Sequence, residues 1–311
     1  MKEKLVMIGN GMAGVRAIEE LLKLAPEKYE ITIFGSEPHA NYNRILLSPV
    51  LTGEMALEDI MLNDVDWYKD NDINLQLNKK IVKIDRRGRK VMDEGGEETA
   101  YDRLLIATGS NPFIIPIPGH ELEGVIAYRD IADVDYMLDT ANEYKNAVVI
   151  GGGLLGLEAA NGLKERGMNV TVVHLLDTLM ERQLDASSGA LLQSSLEDRG
   201  LSFKMTAQTA AIVGDKRVEK IQFADGSELA TDLVVMAVGI RPNIELAEKA
   251  GIHSERGIVV NDTMQTYDPR IYAVGECLQH RGETYGLVAP LFEQAKVCAN
   301  HLAELGHARY E

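Results

Sequence analysis

Six glycines, in two sets of three, are the residues of this chain whose type and spacing could do chemistry. Gly9, Gly11 and Gly14 give G-x-G-x-x-G, and Gly151, Gly153 and Gly156 repeat it 142 residues later. In such a loop the first glycine permits a tight turn, the second lets backbone approach a pyrophosphate, and the third lets helix pack closely on strand. An anion placed there meets unpaired helix N–H groups and the positive end of the helix dipole. Each loop follows an apolar run, 5–8 and 148–150, that reads as a buried parallel strand. Each opens a helix, predicted over 12–24 and 157–166. One such loop is weak evidence, because glycine turns are common. Two in one chain read as a duplicated unit and imply two dinucleotides.

The residues around each loop refine the expectation. After the first, a strand over 29–34 leads to Glu37, 23 residues past Gly14, whose carboxylate can accept hydrogen bonds from both hydroxyls of an adenosine ribose. After the second, the strand over 170–173 ends in His174, where neither an NAD-type acid nor an NADP-type arginine stands. A neutral imidazole can bond a ribose hydroxyl and a protonated one can help hold a 2′-phosphate, so NADH and NADPH both stay open. Arg44 and Ser48 lie one helical turn apart and could face one anion; the alternative is a surface cation and a cap. Ala107, Thr108 and Gly109 end another apolar strand with small residues that suit a close approach of backbone to ligand. Gly239 with Pro242 shapes a loop after the return strand that begins at 233. The strand from 271 ends in Gly275 and Glu276, a carboxylate that could accept from ligand hydroxyls. The helix predicted over 290–305 would aim its positive N-terminus at an anion there.

These pieces must be positioned by an α/β architecture with two Rossmann-like (ββα-type) dinucleotide-binding domains. The expected FAD-binding domain is discontinuous, 1–115 plus 262–311, with an NAD(P)H-binding domain, 116–261, inserted into it. Pro112, Pro116, Pro118 and Gly119 mark the crossover. Residues 73–101 alternate apolar and polar, which predicts antiparallel strands with a turn at Arg87-Gly88. Residues 56–70 read as a helix pair in which Trp67 packs.

Composition excludes several classes. A net charge of −16 with no basic stripe argues against nucleic acid. No apolar run approaches the ~20 residues of a membrane helix. The start, MKEKLVMIG, runs straight into the first strand and leaves no room for a signal peptide, so a cytoplasmic protein is expected. Cys277 and Cys298 form no C-x-x-C, which leaves no dithiol relay, zinc site or iron–sulfur ligand set. Cys277 reads as a buried core thiol rather than a nucleophile. No metal site is expected.

The motifs carry a resemblance. ATG at 107–109, the two glycine loops, AVGIRPN and IYAVGE resemble the two-dinucleotide-domain flavoprotein reductases of the pyridine nucleotide-disulfide oxidoreductase superfamily, such as the ferredoxin and rubredoxin reductases. NYNRILLSPVL, DRLLIATGSNPF, VVIGGGLLGLEAANGL, VVHLLDTLMERQLD and YGLVAPLFEQAKVCANHL are similar to the FAD/NAD module opening the large subunit of the assimilatory NAD(P)H nitrite reductases. The resemblance covers nearly the whole chain. It implies a flavin that takes a hydride from NAD(P)H and passes electrons singly to an iron–sulfur and sirohaem module. That acceptor, and the family's C-terminal domains, are expected outside this chain. It places Gly9, Gly11 and Gly14 at the FAD pyrophosphate, Glu37 on its ribose, Arg44 and Ser48 beside its phosphates, and Glu276 at the ribityl chain. Gly151, Gly153 and Gly156 match the pyridine-nucleotide loop. Glu158 matches a glutamate near the nicotinamide and flavin N5, but Pro49 stands where ferredoxin-reductase relatives carry its lysine partner. Hydride transfer needs position and electrostatics rather than acid–base chemistry. A homodimer is compatible with this reading. Two other functions stay open: a stand-alone NAD(P)H:rubredoxin or ferredoxin-type reductase, and a non-catalytic dinucleotide-binding redox sensor.

Overall fold

A computed structural model describes residues 2–311. The chain forms two compact units: Met1–Asn43, Met61–Asn111 and Arg241–Glu311 make the first, Arg44–Ile60 and Pro112–Ile240 the second. Each is built on a five-stranded parallel sheet. In the first the spatial order is Ile271–Ala273, Arg103–Ile106, Glu3–Ile8, Tyr29–Phe34, Ile73–Gln76. In the second it is Val125–Ala127, Leu233–Met236, Asn146–Ile150, Asn169–Val173, Ser202–Lys204. The central strands are apolar on both faces, as helix-covered parallel strands must be: Leu5, Val6, Met7 and Ile8 are all buried, as are Val148, Val149 and Ile150. The expected doubly wound α/β class is therefore present twice.

The duplication reaches beyond the glycine loops. In both units the third strand is followed by a three-stranded antiparallel meander before the chain returns to the sheet beside the first strand. The meanders are Ile81–Asp85, Lys90–Asp93, Glu98–Ala100 and Thr209–Val213, Lys220–Phe223, Glu228–Ala230. The predicted turn at Arg87-Gly88 is an Asx turn, with Asp85 Oδ1 accepting the N–H groups of Arg87 (3.1 Å) and Gly88 (2.9 Å). Ile73–Gln76 departs from the expectation of antiparallel pairing. It pairs in parallel with Tyr29–Phe34, because an edge strand with one covered face alternates just as a hairpin does. The helix pair expected over 56–70 is a 3-10 turn, Leu57–Ile60, and a separate six-residue helix, Val65–Asp70, capped by Asp64. Trp67 packs edge-on against Tyr68, which is buried.

The units divide at other places than 115/116 and 261/262. The segment Arg44–Ile60 belongs with the second unit. Its helix, Leu47–Thr52, seats Leu51 on Gly162, where a β-carbon would stand 2.5 Å from the leucine Cδ2. Arg166 then closes the helix end by donating to the carbonyls of Leu51 (2.6 Å) and Val50 (3.1 Å). Residues 241–261 fold into the first unit, where Asn243 N–H donates to the Gly109 carbonyl (2.9 Å) and Ala247 joins the core. Pro-rich punctuation marks where the chain leaves a sheet, not where the packing boundary falls.

Near the C-terminal helix, Val288–Leu302, Asp262 accepts from Arg281 Nη2 (2.9 Å) and Nε (3.1 Å) and from His280 Nε2 (2.8 Å). Arg281 first, and His280 second, hold this carboxyl down at about 2. A depressed carboxylate contributes stability above its unfolded value and loses it as pH falls through the folded one. The Asp262 contribution should therefore disappear between about pH 4 and about pH 2. Asp262→Asn is expected to lower stability at neutral pH, with the gap to the parent closing across that window in acid-unfolding curves; a gap constant with pH would contradict it. Among the described residues, no helix is long and apolar enough to cross a membrane.

Candidate dinucleotide sites

In the first unit the loop 9–14 turns from Glu3–Ile8 into the helix Met12–Leu24. Gly9 has φ +104°, and a β-carbon there would overlap the Ala107 carbonyl, whose carbon it would approach to 2.7 Å. A β-carbon on Gly14 would meet Met7 Sδ (2.9 Å) and Ala107 Cβ (2.8 Å), so first strand, return strand and helix converge on these glycines. Gly11 is different. It is the helix N-cap in ordinary extended conformation and supplies no side-chain cap, and a β-carbon added there would have nothing within 4 Å. The loop thus presents uncapped helix N–H groups to open space.

The intervening Asn10 accepts the Tyr68 hydroxyl on Oδ1 (2.8 Å), while its buried Nδ2 has no protein partner. Burial pushes the Tyr68 hydroxyl up to about 12, so it stays a donor at neutral pH. Glu37 is half-buried and accepts the Tyr42 hydroxyl on Oε2 (2.7 Å). Ala107 is buried and Gly109 lies at φ +66°, while the Thr108 hydroxyl donates to the Asn243 carbonyl (2.8 Å). Gly275, at φ +89°, donates its N–H to Gln294 Oε1 (3.2 Å), and Glu276 accepts the Ser110 hydroxyl (2.7 Å). Gln294 is fully buried, and its Nε2 has no protein partner. Sequence reasoning missed Ser110 and Gln294. Gln294 left one signal, an amide on the face of the last helix that Leu291, Ala295 and Cys298 bury. Cys277 is the core thiol expected, fully buried with its titration pushed up by desolvation.

The second unit repeats the construction. Gly151 has φ +128°, and a β-carbon would overlap the Ala237 carbonyl, 2.8 Å from its carbon. Gly153 is the extended, uncapped N-cap of Leu154–Glu165 with open space around it, and Gly156 packs on Gly151 and Ala237. Gly239 is exposed at φ +110°, and its carbonyl accepts the Phe113 N–H (2.9 Å).

His174 is buried rather than presented. Its Nδ1 accepts the Gly152 N–H (3.1 Å), which puts the proton on Nε2, beside the Thr178 carbonyl (3.1 Å) and Glu181 Oε2 (3.4 Å). Both ring nitrogens therefore serve the protein. Arg44 and Ser48 also lie in this unit, whereas Glu37 lies in the first. Arg44 donates to the Arg129 carbonyl (3.3 Å). Ser48 donates to Glu158 Oε2 (2.7 Å), so Tyr128, 3.1 Å away, must donate to Ser48. Burial lifts the Tyr128 hydroxyl to about 12 and keeps it a donor. In place of the lysine that Pro49 supplants, Glu158 thus has a neutral hydroxyl chain as its partner. Tyr128 gave no sequence signal, because 80 residues separate it from Ser48.

The comparisons agree with this construction. The family model described as pyridine nucleotide-disulphide oxidoreductase matches residues 3–299. The chain is 57% identical over its whole length to a nitrite reductase [NAD(P)H] of Bacillus subtilis, of which it covers 38%. It is 50% identical, again over its whole length, to the assimilatory nitrate reductase electron transfer subunit of Bacillus subtilis, covering 40%. The chain thus spans about two-fifths of the length of these relatives. The crystal structure of a ferredoxin reductase from Rhodopseudomonas palustris matches with a TM-score of 0.92 and 28% identity, covering 100% of this chain and 78% of that one. Cys277 and Cys298 are both free and buried, so the disulphide of the family name has no counterpart here. On the family match and the two glycine cradles together, the chain belongs to the pyridine nucleotide-disulphide oxidoreductase family.

Proposed function

We propose that this chain is the electron-input module of an assimilatory nitrite-reducing system, taking hydride from NAD(P)H onto FAD and delivering electrons to an iron–sulfur and sirohaem acceptor. The observation that carries the reading is the pair of uncapped, open glycine cradles in a chain 57% identical to a nitrite reductase [NAD(P)H]. The residues fit two dinucleotides: each cradle has room at its second glycine, and the orphaned Asn10 Nδ2 and Gln294 Nε2 leave donors for a ligand in the first unit. We assign the first unit to FAD and the second to the pyridine nucleotide. When bound, FAD supplies a ring that accepts two electrons as hydride and releases them one at a time.

The chain's own residues bind and orient. The helix N-termini after Gly11 and Gly153 hold pyrophosphate, and Glu37 accepts from a ribose. Glu276, fixed by Ser110, accepts from the ribityl hydroxyls, and Arg44 brings a permanent cation for a phosphate. Glu158 is assigned to the nicotinamide, with Ser48 as a positioning residue that orients its carboxylate. A cytoplasmic setting and an acidic surface that docks a basic acceptor accompany this reading. A stand-alone ferredoxin-type reductase is the second reading, favoured by the fuller coverage of the ferredoxin reductase structure.

The test is an anaerobic titration of the purified protein with NADH and then NADPH while the flavin absorbance is followed. Bleaching by either nucleotide is expected, with steady NAD(P)H:ferricyanide turnover. Protein that takes up no flavin under any reconstitution would overturn the proposal, and tight nucleotide binding without turnover would point to a sensor.

A further inference from the structure

We infer that Glu181 is the carboxylate which the second unit presents to the adenosine ribose, and that it selects NADH against NADPH. The inference rests on assigning the second unit to the pyridine nucleotide. In a βαβ dinucleotide unit the ribose is read at the end of the second strand, about 20 residues past the glycines. Here that strand, Asn169–Val173, ends in His174, 18 residues past Gly156, and no acid follows directly.

His174 cannot take the role itself in this arrangement, because Gly152 and Thr178 occupy its two ring nitrogens. What His174 does is fold the following turn back. Met180 donates its N–H to the Gly152 carbonyl (3.0 Å), so the turn is tied to the glycine loop through both polar atoms of the Gly152 backbone. That tie carries Glu181 back to the strand end, with Oε2 3.4 Å from His174 Nε2 and the side chain still 34% exposed. An acid absent from the strand end in sequence is thus returned to it in space.

The cations nearby do not answer a 2′-phosphate. No lysine or arginine lies between His174 and Glu181. Lys204, paired with Val173 on the next strand, holds its ammonium over the Phe223 ring at 4.5 Å. Arg182 is exposed and follows Glu181 directly. Of the other acids, Asp177 accepts the Thr178 hydroxyl (3.1 Å) and is exposed. A ribose 2′-hydroxyl can donate to the Glu181 carboxylate, whereas a 2′-phosphate would set like charges side by side.

The experiment is calorimetric binding of NAD+ and NADP+ to the purified flavoprotein and to Glu181→Gln, Asp177→Asn and Arg182→Ala, alongside kcat/KM for NADH and NADPH. The parent should bind NAD+ at least ~10-fold tighter than NADP+, as expected for like-charge rejection at a partly exposed site. Glu181→Gln should shrink that ratio by roughly 10-fold, through weaker NAD+ and tighter NADP+ binding, while Asp177→Asn leaves it unchanged. A ratio untouched by Glu181→Gln, or an NADP+ preference in the parent that Arg182→Ala abolishes, would overturn the inference while leaving the module reading intact. Binding of neither nucleotide would overturn both.

Discussion

Gly153→Val is expected to leave the protein folded and flavin-loaded but to abolish its reduction by NADH, whereas Gly11→Val gives folded protein without flavin. Both glycines sit in ordinary extended backbone, with φ −83° and −86°, where valine is at ease. Neither has an atom within 4 Å of the position a β-carbon would take. The fold therefore has no reason to resist the substitution. The ligand does, because the pyrophosphate must come within hydrogen-bonding distance of backbone N–H groups that a branched side chain would cover. Losing one or two charge-assisted hydrogen bonds of about 1.5–3 kcal/mol each lowers affinity by roughly 100-fold or more. Thermal melts of the apoproteins, the ratio of flavin to protein absorbance, and stopped-flow mixing with NADH read the three expectations separately. The pair also tests which unit takes which dinucleotide. If Gly153→Val lost the flavin and Gly11→Val kept it, the assignment would have to be exchanged.

The glycine loops are legible in sequence because a dinucleotide cradle is local: strand, turn and helix are contiguous, and each glycine has its own physical cause. The helix over 12–24 and the strand over 29–34 match their expected bounds for that reason. What sequence does not carry is pairing across long separations. Ile73–Gln76 alternates like a hairpin strand, and only its neighbour in the sheet makes it parallel. The segment Arg44–Ile60 looks continuous with the first unit along the chain, but Leu51 on Gly162 and the Arg166 guanidinium on two carbonyls draw it into the second. The same limit hides the polar partners. Ser110 and Gln294 steady the Gly275-Glu276 turn from 166 and 19 residues away. His174 stands out as unusual in sequence, but both of its ring contacts are to backbone, which no spacing rule reveals. The repeat extends further than the glycines that announce it. The meander and the return strand are duplicated too, so the topology of either unit predicts that of the other.

The same two motifs carry a second prediction of opposite character. Gly9→Ala and Gly151→Ala, chemically the mildest changes available, should each destabilise the protein by more than about 4 kcal/mol, the range reserved for severe steric and backbone faults. Two costs add at each site. A φ of +104° or +128° lies outside the regions open to an L-residue with a side chain. The new methyl would also overlap a backbone carbonyl, of Ala107 in one unit and Ala237 in the other. That carbonyl cannot swing away. The return strand bearing it is locked to the first strand by the N–H of the same residue, Ala107 to the Ile8 carbonyl and Ala237 to the Ile150 carbonyl, each 2.8 Å. Relief therefore means parting the two central strands at their C-terminal ends, where the buried core of each unit begins. Denaturant unfolding should show the loss directly, with Gly11→Ala as the matched control expected within about 0.5 kcal/mol of the parent, as for a surface substitution. If Gly9→Ala kept parental stability while losing flavin, its glycine would be serving the ligand rather than the strands. The division of labour inside G-x-G-x-x-G, first and third glycines for the fold and the second for the phosphate, would then be wrong.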